Sequence, residues 1–229
     1  MTSTANEANN AHSPAFDTLS TLLHTRYSCR AFLPQALDRA TIDRILAAAQ
    51  RTASWCNAQP WQLTIASGAT LARLRSALQA HVATEPPAPD LPWPREYRGV
   101  YQERRRECGW GLYEALGIPK GDREVSARQE AQNFTMFGAP HVAIVTSDEA
   151  LGVYGAVDCG AYVSNFMLAA HSLGVGSIAH QLCAVAAQHL IAVDGGCIAK
   201  CRQPLLGNLL RSRCTRVCRN TAAMGLAEV

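Results

Sequence analysis

No run of apolar residues in this sequence approaches the length of about eighteen that a membrane-spanning helix needs. Charge is scarce too. Asp, Glu, Lys and Arg make up 17% of the chain, and they balance to a net +3. So small an excess, without a clustered patch, argues against nucleic acid as a partner. Residues 1–14 are expected to be a disordered tail, because Met1–Ser13 carry neither a basic nor an apolar region. They do not read as a secretion signal. A reducing, cytoplasmic compartment is therefore expected, and the nine cysteines read as free thiols rather than a disulfide framework.

What is present is a globular composition. The chain has 229 residues, 48% of them apolar, enough for a sizeable core. Thr52–Ser67 is the most informative stretch. Its front half, Ser54-Trp55-Cys56-Asn57-Ala58-Gln59-Pro60, is small, polar and aromatic, which is loop chemistry. Its back half, Trp61–Ala66, reads as a buried strand. A polar loop feeding a core strand suits a planar heterocycle: amides read its edge and aromatic side chains wall its face.

Helical spacing of Phe16, Leu19, Leu22 and Leu23 predicts a short amphipathic helix. Arg26, Ser28 and Arg30 follow it at intervals of two. In an extended segment all three share a face. That face is either a phosphate clamp or two solvated arginines at a strand edge. Asp38–Arg51 is predicted helical, with Ile42, Ile45, Leu46 and Ala49 inside and Asp38 or Thr41 as its cap. Thr70–Val82 is another helix, striped by Leu71, Leu74 and Leu78.

Five of the eleven prolines fall in Glu85–Pro94, which must be an irregular excursion. It either covers a cleft, with Trp93 and Tyr97, or is a plain surface loop. Gly99–Leu116 is predicted helical, and Arg104-Arg105-Arg106 on it read as a solvated face paired with Glu103 and Glu107. Asp122–Phe137 is a further helix and His141–Thr146 a buried strand. Val153–Leu173 is the longest helix, apolar almost all round, with Val157, Ala161, Phe166, Leu168, Ala169 and Leu173 expected inside. A strand or extended turn at Ser177–Leu182 and a helix at Ala184–Leu190 complete this part. His180 reads as a packed residue.

Three motifs in order resemble the nitroreductase family: R-Y-S-C-R-A-F at Arg26–Phe32, S-W-C-N-A-Q-P-W at Ser54–Trp61, and D-C-G-A-Y-V-S-N-F-M-L-A-A-H-S-L-G-V-G-S at Asp158–Ser177. Tyr101–Phe137, with G-W-x-L-Y at Gly109–Tyr113, is similar to its nitrobenzoate-reductase branch. The resemblance implies an α+β fold, a three-layer α/β/α sandwich with helices around a mainly antiparallel sheet. It implies FMN held at a homodimer interface, NAD(P)H as reductant, and a nitroaromatic or quinone-like acceptor reduced by ping-pong hydride transfer. Arg26 and Ser28 would hold the FMN phosphate or ribityl chain. Arg30 would stand by the N1/O2 edge of the ring, where a cation favours the reduced flavin. Ser54, Trp55, Asn57 and Gln59 would line the isoalloxazine, and backbone groups of Gln181 and Leu182 would approach N5. No catalytic side chain and no metal are implied.

The resemblance covers residues 15–191, and residues 192–229 depart from it. That tail holds Cys197, Cys201, Cys214 and Cys218, with six basic residues against two acidic. Its two C-x-x-x-C pairs are a weak zinc signal. Aromatic interleaving, which nucleic-acid binding would favour, is absent. The tail reads as a chain shifted in frame, keeping only the apolar patch Leu205–Leu210. A core strand and a basic return to the FMN phosphate are then expected to be missing. The alternative function is a truncated or inactive relative that binds FMN weakly or not at all.

Overall fold

The computed structural model describes residues 13–86, 89 and 92–180, and the backbone of 203–212. Among the described residues, six helices surround one four-stranded antiparallel sheet: α1 (Pro14–Thr25), α2 (Arg39–Ala49), α3 (Gly68–Thr84), α4 (Val100–Ala115), α5 (Arg123–Ala131), α6 (Gly152–Ser172), and β1 (Gln62–Ser67), β2 (His141–Ser147), β3 (Val175–His180), β4 (Gln203–Ser212). The strand order is β1-β2-β4-β3, and every pairing is antiparallel.

β2 alternates between two cores. Ala143 and Val145 face the layer of α2 and α6, joining Ile45, Ala49, Tyr162, Val163 and Phe166. Val142 and Ile144 face the opposite layer, with Leu71 and Leu78 of α3, Met136 and Phe137. A strand buried on both faces reads as a continuous apolar run, as H-V-A-I-V-T does. This is the expected three-layer sandwich. Local signals start the helices where the sequence places them. Asp38 caps α2 by accepting from the Thr41 amide at 2.6 Å, and Ser13 caps α1 ahead of Pro14.

Several expectations need correction. The strand expected at Trp61–Ala66 is an edge strand and mostly half-buried. The helix expected to run to Phe137 ends at Ala131, and Phe137 sits buried with φ 51° in a 3-10 turn. Val157 and Ala161 of α6 are exposed, while Cys159, Tyr162 and Val163 are buried. That helix packs one face on the sheet and leaves a second apolar face open. Arg105 stacks over the Tyr97 ring at 5.4 Å instead of pairing with a glutamate.

The strand expected to be missing is present. β4 takes in the Leu205–Leu210 patch and lies in the middle of the sheet, between β2 and β3. Pro204, which lacks an N–H, pairs opposite Thr146 where the register with β2 shifts between Val145 and Thr146. Irregularities of this kind are where a sheet tolerates proline. The helix expected at 184–190, the N-terminal tail as far as residue 12, and the cysteines at 197, 201, 214 and 218 lie outside the described residues. The described cysteines, Cys29, Cys56, Cys108 and Cys159, are free thiols.

Candidate functional site

The first group of expected site residues lies along the edge of β3 that faces away from β4. After α1 the chain turns extended at Arg26, and Ser28 forms a parallel bridge with Ser177. The Cys29 amide donates to the Ser177 carbonyl at 3.1 Å. Cys29 points inward, fully buried, against Gly176, where an added Cβ would come within 3.3 Å of its Sγ. Alternation then turns Arg26, Ser28 and Arg30 the other way, and all three are half-buried. Burial pulls the Arg30 guanidinium below its ordinary pKa. The neighbours that push back are the thiols of Cys108 and Cys29, not a carboxylate. A half-buried cation of this kind is suited to an anionic ligand.

His180 closes β3 beside this group. It is 5% exposed, its Nε2 is 2.5 Å from Asn133 Oδ1, and Phe137 meets its ring edge-on. Burial, with the Arg30 charge second, lowers its pKa to about 4. It is packed, as expected, and neutral at pH 7. Gln181 and Leu182 come next in the chain and lie outside the described residues.

The second group is the loop into β1. Cys56, Asn57 and Gln59 hold φ of 50°, 54° and 46°. Left-handed backbone costs a non-glycine residue about 1 kcal/mol or more. Hydrogen bonds offset that strain. Ser54 Oγ accepts from the Gln59 amide at 2.9 Å, and Gln59 Nε2 donates to Asn57 Oδ1 at 2.9 Å. Gln50 Nε2 donates to Gln59 Oε1 at 2.8 Å, and Gln50 Oε1 accepts from the buried Trp61 indole at 3.0 Å. The Trp55 amide donates to both carboxylate oxygens of Asp158 on α6, at 3.2 and 3.1 Å. The Trp55 ring is 64% exposed and sits 5.4 Å from that of Tyr154. Gln50 and Asp158 escaped the sequence reading as functional. Gln50 ends an ordinary amphipathic helix and carries no signal. Asp158 opens the third motif, which was a usable clue.

Within one chain the two groups do not meet. The Ser28 segment flanks β3 and the loop enters β1, at opposite edges of the sheet. Four strand spacings, about 19 Å, separate those edges. The anchors on α6 agree: the loop is tied at Asp158, whereas Tyr27 and Thr25 contact His171. Thirteen residues of helix rise about 20 Å between the two. No single planar ring bridges that distance.

The model of the nitroreductase family matches residues 23–191. The chain belongs to the nitroreductase family. It is 34% identical over 158 residues to nitroreductase NfnB of Mycolicibacterium smegmatis, covering 68% of this chain and 67% of that one. It is 33% identical to a 4-nitrobenzoate reductase of Pseudomonas putida, covering 70% and 71%. Among solved structures, the FMN-dependent nitroreductase NfnB from Mycobacterium smegmatis in complex with NADPH superposes with a TM-score of 0.82 at 27% identity, covering 93% of this chain and 96% of that one. The described part of this nitroreductase-family chain has no helix long and apolar enough to cross a membrane and no cluster of metal-ligating side chains.

Proposed function

We propose that this chain is an FMN-dependent oxidoreductase that uses NAD(P)H to reduce nitroaromatic or quinone-like acceptors, and that it works as a homodimer. Membership of the family supports the activity. The solved relative is FMN-dependent and holds NADPH, and a curated relative is a 4-nitrobenzoate reductase. The observation that carries the reading is the Arg26-Ser28-Arg30 face, with a half-buried guanidinium lacking a carboxylate neighbour, facing away from the core. An FMN phosphate is the anion such a face fits.

Two copies resolve the separation of the groups. The Ser54–Gln59 loop of one protomer would complete the ring site begun by the arginines of its partner. Unpartnered apolar faces support this pairing. Val153 (74%), Tyr154 and Val157 of α6 are exposed beside Trp55, and Phe16, Leu19 and Leu23 are exposed along α1. Large exposed apolar side chains grouped in this way mark surfaces that bind another protein.

In this reading bound FMN supplies the hydride relay between NAD(P)H and the acceptor. The chain's own residues do the rest. Arg26 and Ser28 bind the phosphate and ribityl oxygens. Arg30 holds positive charge at the N1/O2 edge. Asn57 and Gln59 present amides to the polar edge, Ser54 presents its hydroxyl, and the exposed Trp55 ring walls a face. Gln181 and Leu182, next in sequence after His180, are the residues assigned to the N5 edge. No acid–base side chain enters. The test is the absorbance spectrum of purified protein, followed by NAD(P)H oxidation with a nitroaromatic. A stoichiometric flavin band and acceptor-dependent turnover are expected. A colourless protein that takes up no added FMN would favour the reading of an inactive relative.

A further inference from the structure

We propose that Gln50 and Asp158 are positioning residues: through the amide relay Trp61–Gln50–Gln59–Asn57 and the carboxylate clamp on the Trp55 amide, they hold the exposed loop in the one shape that receives the flavin ring. The proposal rests on the flavin reading above and adds two residues to which that reading assigns no role.

The loop is exposed and strained at once. Asn57 and Gln59 face solvent with left-handed backbone, and Cys56 between Trp55 and Asn57 is left-handed as well. An exposed loop with no task relaxes, because nothing around it over-determines its backbone. This one is tied at both ends. From the core side, the Trp61 indole is 7% exposed and stacks on Tyr162 at 4.9 Å, so its N–H is a fixed reference point. Gln50 accepts from that indole and donates to Gln59 Oε1, which leaves the Gln59 amide nitrogen aimed at Asn57 Oδ1. The orientation of each amide is set by the previous one, ending at a buried ring. With Oδ1 occupied, Asn57 keeps its nitrogen free to donate outward. From the α6 side, Asp158 receives the Trp55 amide on both oxygens, which pins the Trp55 backbone and its ring beside Tyr154.

A binding group fixed before the ligand arrives loses less entropy on binding. Removing either tie leaves every group that would touch FMN in place and frees only its orientation. Affinity and spectrum should change while the fold holds.

The experiment starts from the full-length wild type, titrated with FMN and followed by quenching of flavin fluorescence. If wild type binds no FMN, the flavin reading itself fails, and this proposal with it. Given binding, Gln50→Ala and Asp158→Ala should each raise the FMN Kd about tenfold, shift the visible flavin bands toward those of free FMN, and leave the apoprotein melting temperature within a few degrees of wild type. Asp158→Asn keeps an oxygen for the Trp55 amide and should bind within about threefold of wild type. Should Gln50→Ala fail to fold, Gln50→Met keeps the bulk and loses only the amide, and the same Kd rise is expected. Wild-type affinity and spectrum in both alanine variants would overturn the proposal. So would a loss of affinity in Asp158→Asn as large as in Asp158→Ala, because the acceptor would then be irrelevant.

Discussion

Arg30 and His180 show what burial does to single ionisable side chains. Arg30 is half-buried and its charge is opposed by desolvation, so an anion beside it relieves a cost the free protein bears. Arg30→Ala should weaken FMN binding about tenfold to a hundredfold, and Arg30→Lys should recover part of that. A fluorescence titration reads both. His180 works in the opposite sense. It is buried neutral, and its folded pKa of about 4 lies below the unfolded value of 6.5. Between those values the unfolded chain binds the extra proton, so stability rises with pH. The contribution is complete above about pH 6.5 and is lost as pH falls toward 4, on the order of 3 kcal/mol. His141 and His171 are lowered by burial too and add in the same direction. Chemical denaturation of His180→Gln against wild type at pH 7 and pH 5 measures it, the variant losing less stability on acidification.

At the level of elements, α6 is the beam that both site groups lean on, and its seat on β2 depends on one glycine. A Cβ at Gly155 would lie 2.6 Å from Ser147 Oγ and 2.9 Å from Leu151 Cβ. Gly155→Ala improves intrinsic helix propensity by about 1 kcal/mol, but the overlap with a buried serine costs about 1–3 kcal/mol. The overlap wins at the upper end of that range, and the melting temperature should fall by several degrees. α6 also shows why helical periodicity misled. Its sequence is apolar on every side, so no arc of it announces the core. The inner arc of Cys159, Tyr162, Val163 and Phe166 is the one that meets the sheet.

For the whole molecule, the arginine face and the loop lie at opposite edges of one sheet, so the proposed site is complete only with two chains. This makes a quantitative prediction. Arg30→Ala and Asn57→Ala protomers should each form weak sites alone. Co-refolded in equal amounts, half the dimers are mixed, and each mixed dimer has one intact site. About a quarter of the wild-type FMN-binding capacity and turnover should return. A mixture no better than the separate variants would mean that each chain builds its own site. Size-exclusion chromatography of the wild type gives the independent check of a dimer.

Much of this was legible in the chain. The caps, the proline-rich break and the twice-buried H-V-A-I-V-T strand are local or periodic signals, and they placed α2, α3, α4 and β2 closely. Spacing by two correctly put Arg26, Ser28 and Arg30 on one face, because an extended backbone has no other arrangement. β4 was not legible. Its leucines come in pairs, Leu205-Leu206 and Leu209-Leu210, without strand alternation, and its place comes from the open hydrogen-bonding edges of β2 and β3 on either side. The roles of Gln50 and Asp158 also needed coordinates, since they bond to residues 9 and 103 positions away. The sequence by itself nominated the residues of the proposed flavin site. Only the tertiary structure decided that two of those sets stand a sheet's width apart, because strand order is set by long-range pairing that no local pattern encodes.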